Sequence, residues 1–331
     1  VAHKVVLTDT TAADYVVERE VFEGSGLDLS VIYLQTRDPA VFLDHVGDAD
    51  AVVLSWAPFT RTVIDRLARC RIIARFGIGV DMIDLDAATE KGILVCNTAR
   101  YCIDEVSTQA IAFLLALNRQ IEPMNAEIRR GGWSPAALNR PAPRRLRGQR
   151  LGLVGLGNIG RAVAAKARGI GLDVVAYDPY LAAGGSAGDA IELLSLADLL
   201  ATSDYVSIHC PLNAATRHLI GAPELARMKP EAFLINCARG AIVDQSALEA
   251  ALAARQIAGA GLDVFETEPL PADSRLRHLD NVILTPHTAH WSAESAVECR
   301  ETAVEHVVTY FRGQVPSDVV NRAVLTVGRR S

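Results

Sequence analysis

The sequence predicts an α/β protein of two domains, each a largely parallel β-sheet covered by helices. Three observations carry that expectation. At 331 residues the chain exceeds the usual span of one hydrophobic core. Short β-branched and aliphatic runs, apolar on both faces, recur between helical patterns, as the strands of a parallel sheet do. Two such series flank the segment GGWSPAALNRPAPRRLRGQR (131–150), whose Pro, Gly and Arg content marks a loop.

In the first series KVVLTD (4–9), LSVIYLQ (29–35), AVVLSW (51–56), RIIARFG (71–77) and GILVCN (92–97) are expected strands. TRTVIDRLARC (60–70) and LDAATEK (85–91) are expected helices. One long helix is expected over 103–131, too apolar near its start to be exposed there. The second series places strands at 151–157, 172–178, 205–210, 232–238, 259–265 and 281–286, with helical segments between them. A last helix over 292–313 leads into the extended tail QVPSDVVN, which finishes the second domain or returns to the first.

Composition narrows the function classes. Net charge is -6 and the only lysines are Lys4, Lys91, Lys166 and Lys229, so nucleic acid is not an expected partner. The clusters Arg129-Arg130 and Arg144, Arg145, Arg147 read as solvated loop charge. Six cysteines (70, 96, 102, 210, 237, 299) lack metal-ligand spacing, and most lie in or beside apolar runs, as buried free thiols do. With no recognisable signal peptide and no bilayer-length apolar stretch, a soluble cytoplasmic protein without a membrane partner is expected.

The sharpest local signal is LGLVGLGNIGRAVAAKARGIGLDVVAYDP (151–179). Gly155, Gly157 and Gly160 form G-x-G-x-x-G between an apolar strand and an Ala-rich helix opened by Asn158 and Ile159. The first glycine permits a tight turn and the second lets a pyrophosphate approach the backbone. The third lets helix and strand pack closely, and the helix N-terminus faces the phosphates. Asp178 ends the following strand. A carboxylate there accepts from both hydroxyls of an adenosine ribose and repels a 2′-phosphate, favouring NAD over NADP. The alternative makes Asp178 a turn residue before Pro179.

Ligands of such sheets sit beyond the C-terminal ends of the strands, so polar residues there are candidates for chemistry. Arg239, Glu268 and His287 follow three separate expected strands. Together they suit hydride transfer between NAD(H) and a 2-hydroxy or 2-keto acid. His287 exchanges a proton near neutrality, Glu268 stabilises its imidazolium, and the Arg239 fork holds a carboxylate and polarises the carbonyl. Taken singly, each is also an ordinary surface-pair or strand-capping residue. His287 and His290 are three apart, but no acid or Cys completes a metal site.

These residues resemble the D-isomer-specific 2-hydroxyacid dehydrogenase family. The likeness runs from about residue 50 to about residue 300 and includes GLVGLGNIG, HCPLNAATRHLI (209–220), MKPEAFLINCARGAIVDQSAL (228–248), GAGLDVFETEPLP (259–271) and NVILTPHTAHWS (281–292). In pattern it is nearest to members like the C-terminal-binding corepressor and phosphoglycerate dehydrogenase. The resemblance implies that Arg239 binds substrate, His287 is the acid/base and Glu268, immediately before Pro269, is its partner, leaving Glu266 on the surface. It implies that Asp263 holds the nicotinamide carboxamide and that Cys237 and Ala238 give backbone contacts. Cys210 and Pro211 would line the adenine side, and Thr216 the pyrophosphate or ribose. Gly77-Ile78-Gly79 would clasp the substrate carboxylate through backbone N–H groups. Arg75 would be a second substrate-facing arginine, the alternative being a strand-edge arginine facing water.

The same resemblance implies a Rossmann-fold NAD-binding domain (103–290) inserted in a flavodoxin-like substrate domain (1–102 plus 291–331). It also implies closure that expels water and a homodimer across which the apolar 103–121 helix packs. Two departures stand out. Thr108 replaces an acidic residue near the nicotinamide edge. His290, with Trp291 behind it, takes the slot of a pocket-shaping tryptophan, which leaves room for a larger or more polar substrate side group. Phosphoglycerate dehydrogenase of the short type and glyoxylate or hydroxypyruvate reductase remain open. Formate dehydrogenase is disfavoured, because Glu268 stands where that enzyme has glutamine. A different class of protein, an NAD-responsive corepressor-like binding protein, also remains open.

Overall fold

The computed structural model describes residues 2–134, 141–181 and 191–327. Residues 135–140, part of the loop expected over 131–150, lie outside them. The chain divides into two compact units, residues 1–102 with 292–331, and residues 103–291. Among the described residues no helix is long and apolar enough to cross a membrane.

In the first unit β1 (His3–Leu7), β2 (Leu29–Tyr33), β3 (Ala51–Leu54), β4 (Ile72–Arg75) and β5 (Leu94–Cys96) form one parallel sheet, ordered β2-β1-β3-β4-β5. Alternate strand residues enter two separate cores, as the strand period of two requires. Val6, Val52, Leu54, Ile73 and Val95 pack with Phe42 and Val46 of α2 (Pro39–Val46) and Ile64 of α3 (Arg61–Ile64). Ala88 of α4 (Leu85–Glu90) completes that side. On the other face Val5, Leu7, Val53, Ile72 and Ala74 meet Phe22 of α1 (Val16–Gly24) and Ala303, Val304 and Val307 of α11 (Ala293–Phe311).

The helix expected over 60–70 ends after one turn. Lys91 Nζ donates to the carbonyls of Ile64, Asp65 and Leu67 at 3.0, 2.9 and 2.8 Å, which satisfies the acceptors that a longer helix would have used internally. A charge pair seats α11 on α1. Arg300 donates through Nε and Nη2 to the fully buried Glu18 at 2.8 and 2.5 Å. The tail returns to this unit. Val320 N–H donates to Val95 O at 2.8 Å, and the Asn321 side chain accepts from Val95 N–H and donates to Ile93 O. It thus covers the open edge of β5, which would otherwise present unpaired backbone groups. The short α12 (Val324–Val327) follows.

The second unit opens with α5 (Ile103–Arg119) and α6 (Ile121–Arg129) where one continuous helix was expected. Gln120, between them, has a left-handed φ of 54°. Pro123 explains the break: in a continuous helix its ring would clash with the carbonyl of Arg119 and leave that carbonyl without a donor. The sheet is parallel, ordered β12-β11-β10-β9-β6-β7-β8. Its strands are β6 (Arg150–Val154), β7 (Asp173–Tyr177), β8 (Glu192–Leu193), β9 (Tyr205–Ile208), β10 (Phe233–Asn236), β11 (Gly259–Leu262) and β12 (Val282–Leu284). The helices between strands are α7 (Asn158–Gly169), α8 (Leu196–Thr202), α9 (Ala222–Leu225) and α10 (Gln245–Ala253). Strand order reverses at β6 and β9, so the crevice expected for a ligand lies beyond their C-terminal ends.

The apolar character of α5 has a cause inside its own unit. Val106, Ala110, Phe113, Leu114 and Leu117 are buried at helical spacing, where α5 packs on α7, β10 and β11. This burial accounts for the apolar stripe of α5 within its own unit. A Cβ at Gly261 of β11 would lie 2.7 Å from the Phe113 Cβ. Gly261→Ala is therefore expected to cost about 1–3 kcal/mol of stability through overpacking. The urea unfolding midpoint measures it, and an unchanged midpoint would show that α5 can retreat.

Candidate active site

The glycine loop after β6 meets the loop after β9. Gly155 has φ 99°, and a Cβ there would lie 2.6 Å from the Cys210 nitrogen. A Cβ on Gly160 would collide with the Gly155 carbonyl oxygen. The fold alone demands both glycines. Gly157 differs: its φ of -77° suits any residue, and among the described residues no atom beyond its chain neighbours and its own helix backbone lies within 4 Å of where its Cβ would be. The space that glycine leaves there is outside the protein, at the start of α7 beside Asn158 and Ile159. That is what a backbone approached by a pyrophosphate requires, so these residues fit a dinucleotide.

Asp178 holds this loop. Its Oδ2 accepts from Leu156 N–H and its Oδ1 from Tyr180 N–H, both at 3.0 Å. It is thus also the turn residue that its place before Pro179 suggests. Each carboxylate oxygen retains acceptor capacity beyond the one bond it accepts among the described residues. Burial pushes the Cys210 thiol up to about 11 and holds the Cys237 thiol well above its ordinary value, so both present neutral, weakly polar surfaces. The Thr216 hydroxyl is committed to its own loop, donating to Pro211 O at 2.6 Å and accepting from Asn213 N–H at 2.8 Å. Thr108 is exposed on α5.

Beyond β10, β11 and β12 the structure brings His287 and Glu268 together, with Arg239 close enough for its charge to act on Glu268. His287 Nδ1 lies 2.7 Å from Glu268 Oε2, and Glu268 Oε1 accepts from Phe265 N–H at 3.0 Å. Burial raises the Glu268 pKa, but the His287 bond and charge, the Phe265 N–H and the Arg239 charge outweigh it, leaving it below the ordinary value. Glu266, the other carboxylate of Phe-Glu-Thr-Glu-Pro, pairs instead with His218 at 2.7 Å. Arg239 donates from Nη1 to Ala238 O at 2.8 Å. Asn236 shapes that turn by accepting from Ala238 N–H and donating to Arg239 O.

His287 is held in the left-handed region, φ 55°, by Asp263. The Asp263 carbonyl accepts from His287 N–H at 2.8 Å. Its buried carboxylate takes the Thr285 hydroxyl at 2.5 Å and Thr288 N–H at 2.9 Å on Oδ1, and Ala289 N–H at 2.8 Å on Oδ2. Asp263, whose carboxylate is expected on a nicotinamide carboxamide, also anchors the His287 loop. The His290 ring stands edge-on to His287, centroids 6.0 Å apart, and Trp291 is 71% exposed.

In the first unit Arg75 ends the interior strand β4 and is only 4% exposed, which rules out a water-facing edge residue. Its Nε donates to Ser55 O at 3.1 Å, and its guanidinium carbon lies 5.1 Å from the centre of the Trp56 ring. Gly77 has φ 126°, and the guanidinium fills the place of its missing Cβ. Its N–H is already donated to the Thr98 hydroxyl at 2.8 Å, so it is not available to a carboxylate as expected. The N–H groups of Ile78 and Gly79 have no acceptor among the described residues.

Residues 111–289 match the family described as "D-isomer specific 2-hydroxyacid dehydrogenase, NAD binding domain". A glyoxylate reductase of Korarchaeum cryptofilum is 39% identical over 293 residues, 87% of either chain. This chain belongs to the D-isomer-specific 2-hydroxyacid dehydrogenase family. A D-3-phosphoglycerate dehydrogenase of Methanocaldococcus jannaschii is 38% identical over 84% of this chain and 53% of its own length. The crystal structure of a D-lactate dehydrogenase from Aquifex aeolicus, complexed with NAD and lactic acid, matches with a TM-score of 0.85 at 28% identity. That match covers 96% of this chain and 99% of the other.

Within this dehydrogenase family member, sequence reasoning missed Gly240, Asn236, Thr285 and Trp56. A Cβ on Gly240 would collide with the backbone of Phe265 and Glu266, so only glycine lets the Arg239 turn and the Glu268 loop lie together. The signal was present as a glycine directly after a candidate arginine. Asp263→Asn would turn one loop acceptor into a donor and leave a loop N–H unpaired, a cost of about 1–3 kcal/mol. Hydrogen exchange at the Thr288 and Ala289 amides is expected to accelerate accordingly, and unchanged protection would show that Asp263 does not hold the loop.

Proposed function

We propose that the protein interconverts a small 2-keto acid and the D-2-hydroxy acid, with His287 as acid/base and NAD(H) as cofactor. The observation that carries this reading is the 2.7 Å His287–Glu268 bond on a loop pinned by Asp263. When bound, NAD(H) supplies or takes up a hydride at nicotinamide C4. Glu268 engages Nδ1, which assigns proton delivery to Nε2. For keto-acid reduction the imidazolium gives that proton to the carbonyl oxygen, and Glu268 remains ionised to balance its charge. Arg239 binds the substrate carboxylate and polarises the carbonyl, and Arg75 is the second arginine toward it. The N–H groups of Ile78 and Gly79 add carboxylate donors.

Gly155, Gly157 and Gly160, with the α7 N-terminus, would hold the pyrophosphate, and Asp178 the adenosine ribose, favouring NAD over NADP. The 2-1-3-4-5 strand order of the first unit supports its reading as flavodoxin-like. A homodimer is supported by α6, none of whose residues is buried, with Ile121, Ile128 and the following Trp133 strongly exposed. Six free cysteines, five of them buried, suit a reducing, cytoplasmic setting.

The names of the relatives make glyoxylate, pyruvate and the keto acid formed from D-3-phosphoglycerate the first acids to try, with hydroxypyruvate and phenylpyruvate beside them. NADH oxidation is expected with at least one, and NADPH should serve less well. His287→Gln should lower kcat by about 100-fold or more, the scale of general acid catalysis. Inactivity across the panel would sink the enzymatic reading and favour an NAD-responsive binding role. Glu268→Gln removes the charge that balances the imidazolium, so kcat for keto-acid reduction should fall about tenfold, the scale of one hydrogen bond to a charged group. An unchanged kcat would separate Glu268 from proton transfer.

His290 beside His287 suggests a pocket roomier and more polar than an indole would leave. His290→Trp should therefore shift preference toward the smallest acids of the panel. An unchanged order of kcat/KM values would remove His290 from the determinants of specificity.

A further inference from the structure

Asp9, just past the C-terminal end of β1, takes no part in the site described above. It is buried at 2% exposure. Its Oδ1 accepts from Ser55 N–H at 3.0 Å, Ala57 N–H at 3.2 Å and the Thr8 hydroxyl at 3.1 Å. Its Oδ2 accepts from Trp56 N–H at 2.8 Å and Arg37 Nε at 3.2 Å. Three successive backbone N–H groups after β3 therefore converge on one carboxylate. Such a concavity is an anion site, and here the chain supplies its own anion. β1 and β3 are neighbours where the order of this sheet reverses, so Asp9 fills the crevice in which sheets of this kind receive a ligand.

The loop that Asp9 holds is the one against which Arg75 rests. Ser55 offers its N–H to Asp9 and its carbonyl to Arg75 Nε, and Trp56 offers its N–H to Asp9 and its ring to the guanidinium. We infer that Asp9 is a positioning residue for substrate binding, setting the Ser55 carbonyl and the Trp56 ring that aim Arg75. The inference rests on the reading of Arg75 as a substrate contact. A carboxylate that only tied β1 to β3 would affect stability and leave the two substrates' KM values alike.

Asp9→Asn keeps the size of the side chain but points an N–H donor at backbone N–H groups. Steady-state kinetics with NADH and the best keto acid should show a keto-acid KM raised about tenfold, the scale of one hydrogen bond to a charged group. The NADH KM should stay within about twofold, since only one substrate's binding is touched. Arg75→Lys should raise the same KM, and the double variant should do no worse than Arg75→Lys alone, because both changes remove one interaction. Additive effects, or an equal rise in the NADH KM, overturn the inference. Trp56→Leu tests the outer end of the chain of contacts if Asp9→Asn does not fold. It must raise the keto-acid KM several-fold, and only while Arg75 is present. A silent Arg75→Lys would remove the assignment of Arg75 and this inference with it. A sensitive Arg75→Lys beside a silent Asp9→Asn would remove this inference alone.

Discussion

A buried carboxylate has to be paid for, and the loop that carries His287 offsets part of the cost of the Asp263 charge, whose pKa burial still holds above the ordinary value. Burial raises the Asp263 pKa; the Thr285 hydroxyl, the Ala289 and Thr288 N–H groups and the His287 charge oppose that rise. Opening the loop would strip three donors from a carboxylate at 1% exposure, which is costly in a low-dielectric interior. The same electrostatics that penalise the charge therefore close the loop around it. Closure holds a non-glycine residue, His287, at a left-handed φ, where an L side chain costs about 1–2 kcal/mol. The reward is a ring whose Nδ1 meets Glu268.

The device recurs. Asp178 accepts from Leu156 N–H at the glycine turn, and Asp9 accepts from three successive N–H groups after β3. Each aspartate follows the C-terminal end of a parallel strand, where the chain turns away and its N–H groups lose their ladder partners. A carboxylate at that place satisfies several donors at once. Parallel sheets collect such ends on one side, which is why loops fixed in this way surround the ligand-binding edge of a sheet. Glycine supplies the complementary half. Gly160 makes room for the backbone of its own turn, Gly155 for the loop after β9, and Gly240 for the Glu268 loop.

Much of this was legible in the residues. Both sheets announce themselves as β-branched runs, because burial on both faces leaves no polar alternation to hide them. The G-x-G-x-x-G turn, Arg239, Glu268 and His287 stand out as polar or glycine punctuation at strand ends. What stayed hidden was pairing over long separations. Nothing in VVLTDT says that Asp9 will meet Trp56, since the contact depends on β1 and β3 being neighbours. The break at Gln120 was hidden differently: helical periodicity runs through it, and Pro123 had to be weighed against that pattern. Lys91 ends α3 from another element, so propensity along 60–70 overestimates the helix.

The His287–Glu268 pair gains its direction from this arrangement. A Glu268 carboxyl held below its ordinary value stays ionised across the neutral range. The contribution of that depressed carboxyl to stability is present above its unfolded value and fades as pH falls through the folded one. Toward acid the bridge weakens because Glu268 takes a proton. In the proposed reaction, reduction of a keto acid needs the ionised partner and the protonated ring together, whereas oxidation of a hydroxy acid needs the same partner with the ring neutral. One fixed carboxylate would then serve both directions, and the loop that Asp263 closes holds the His287 ring at the same bond.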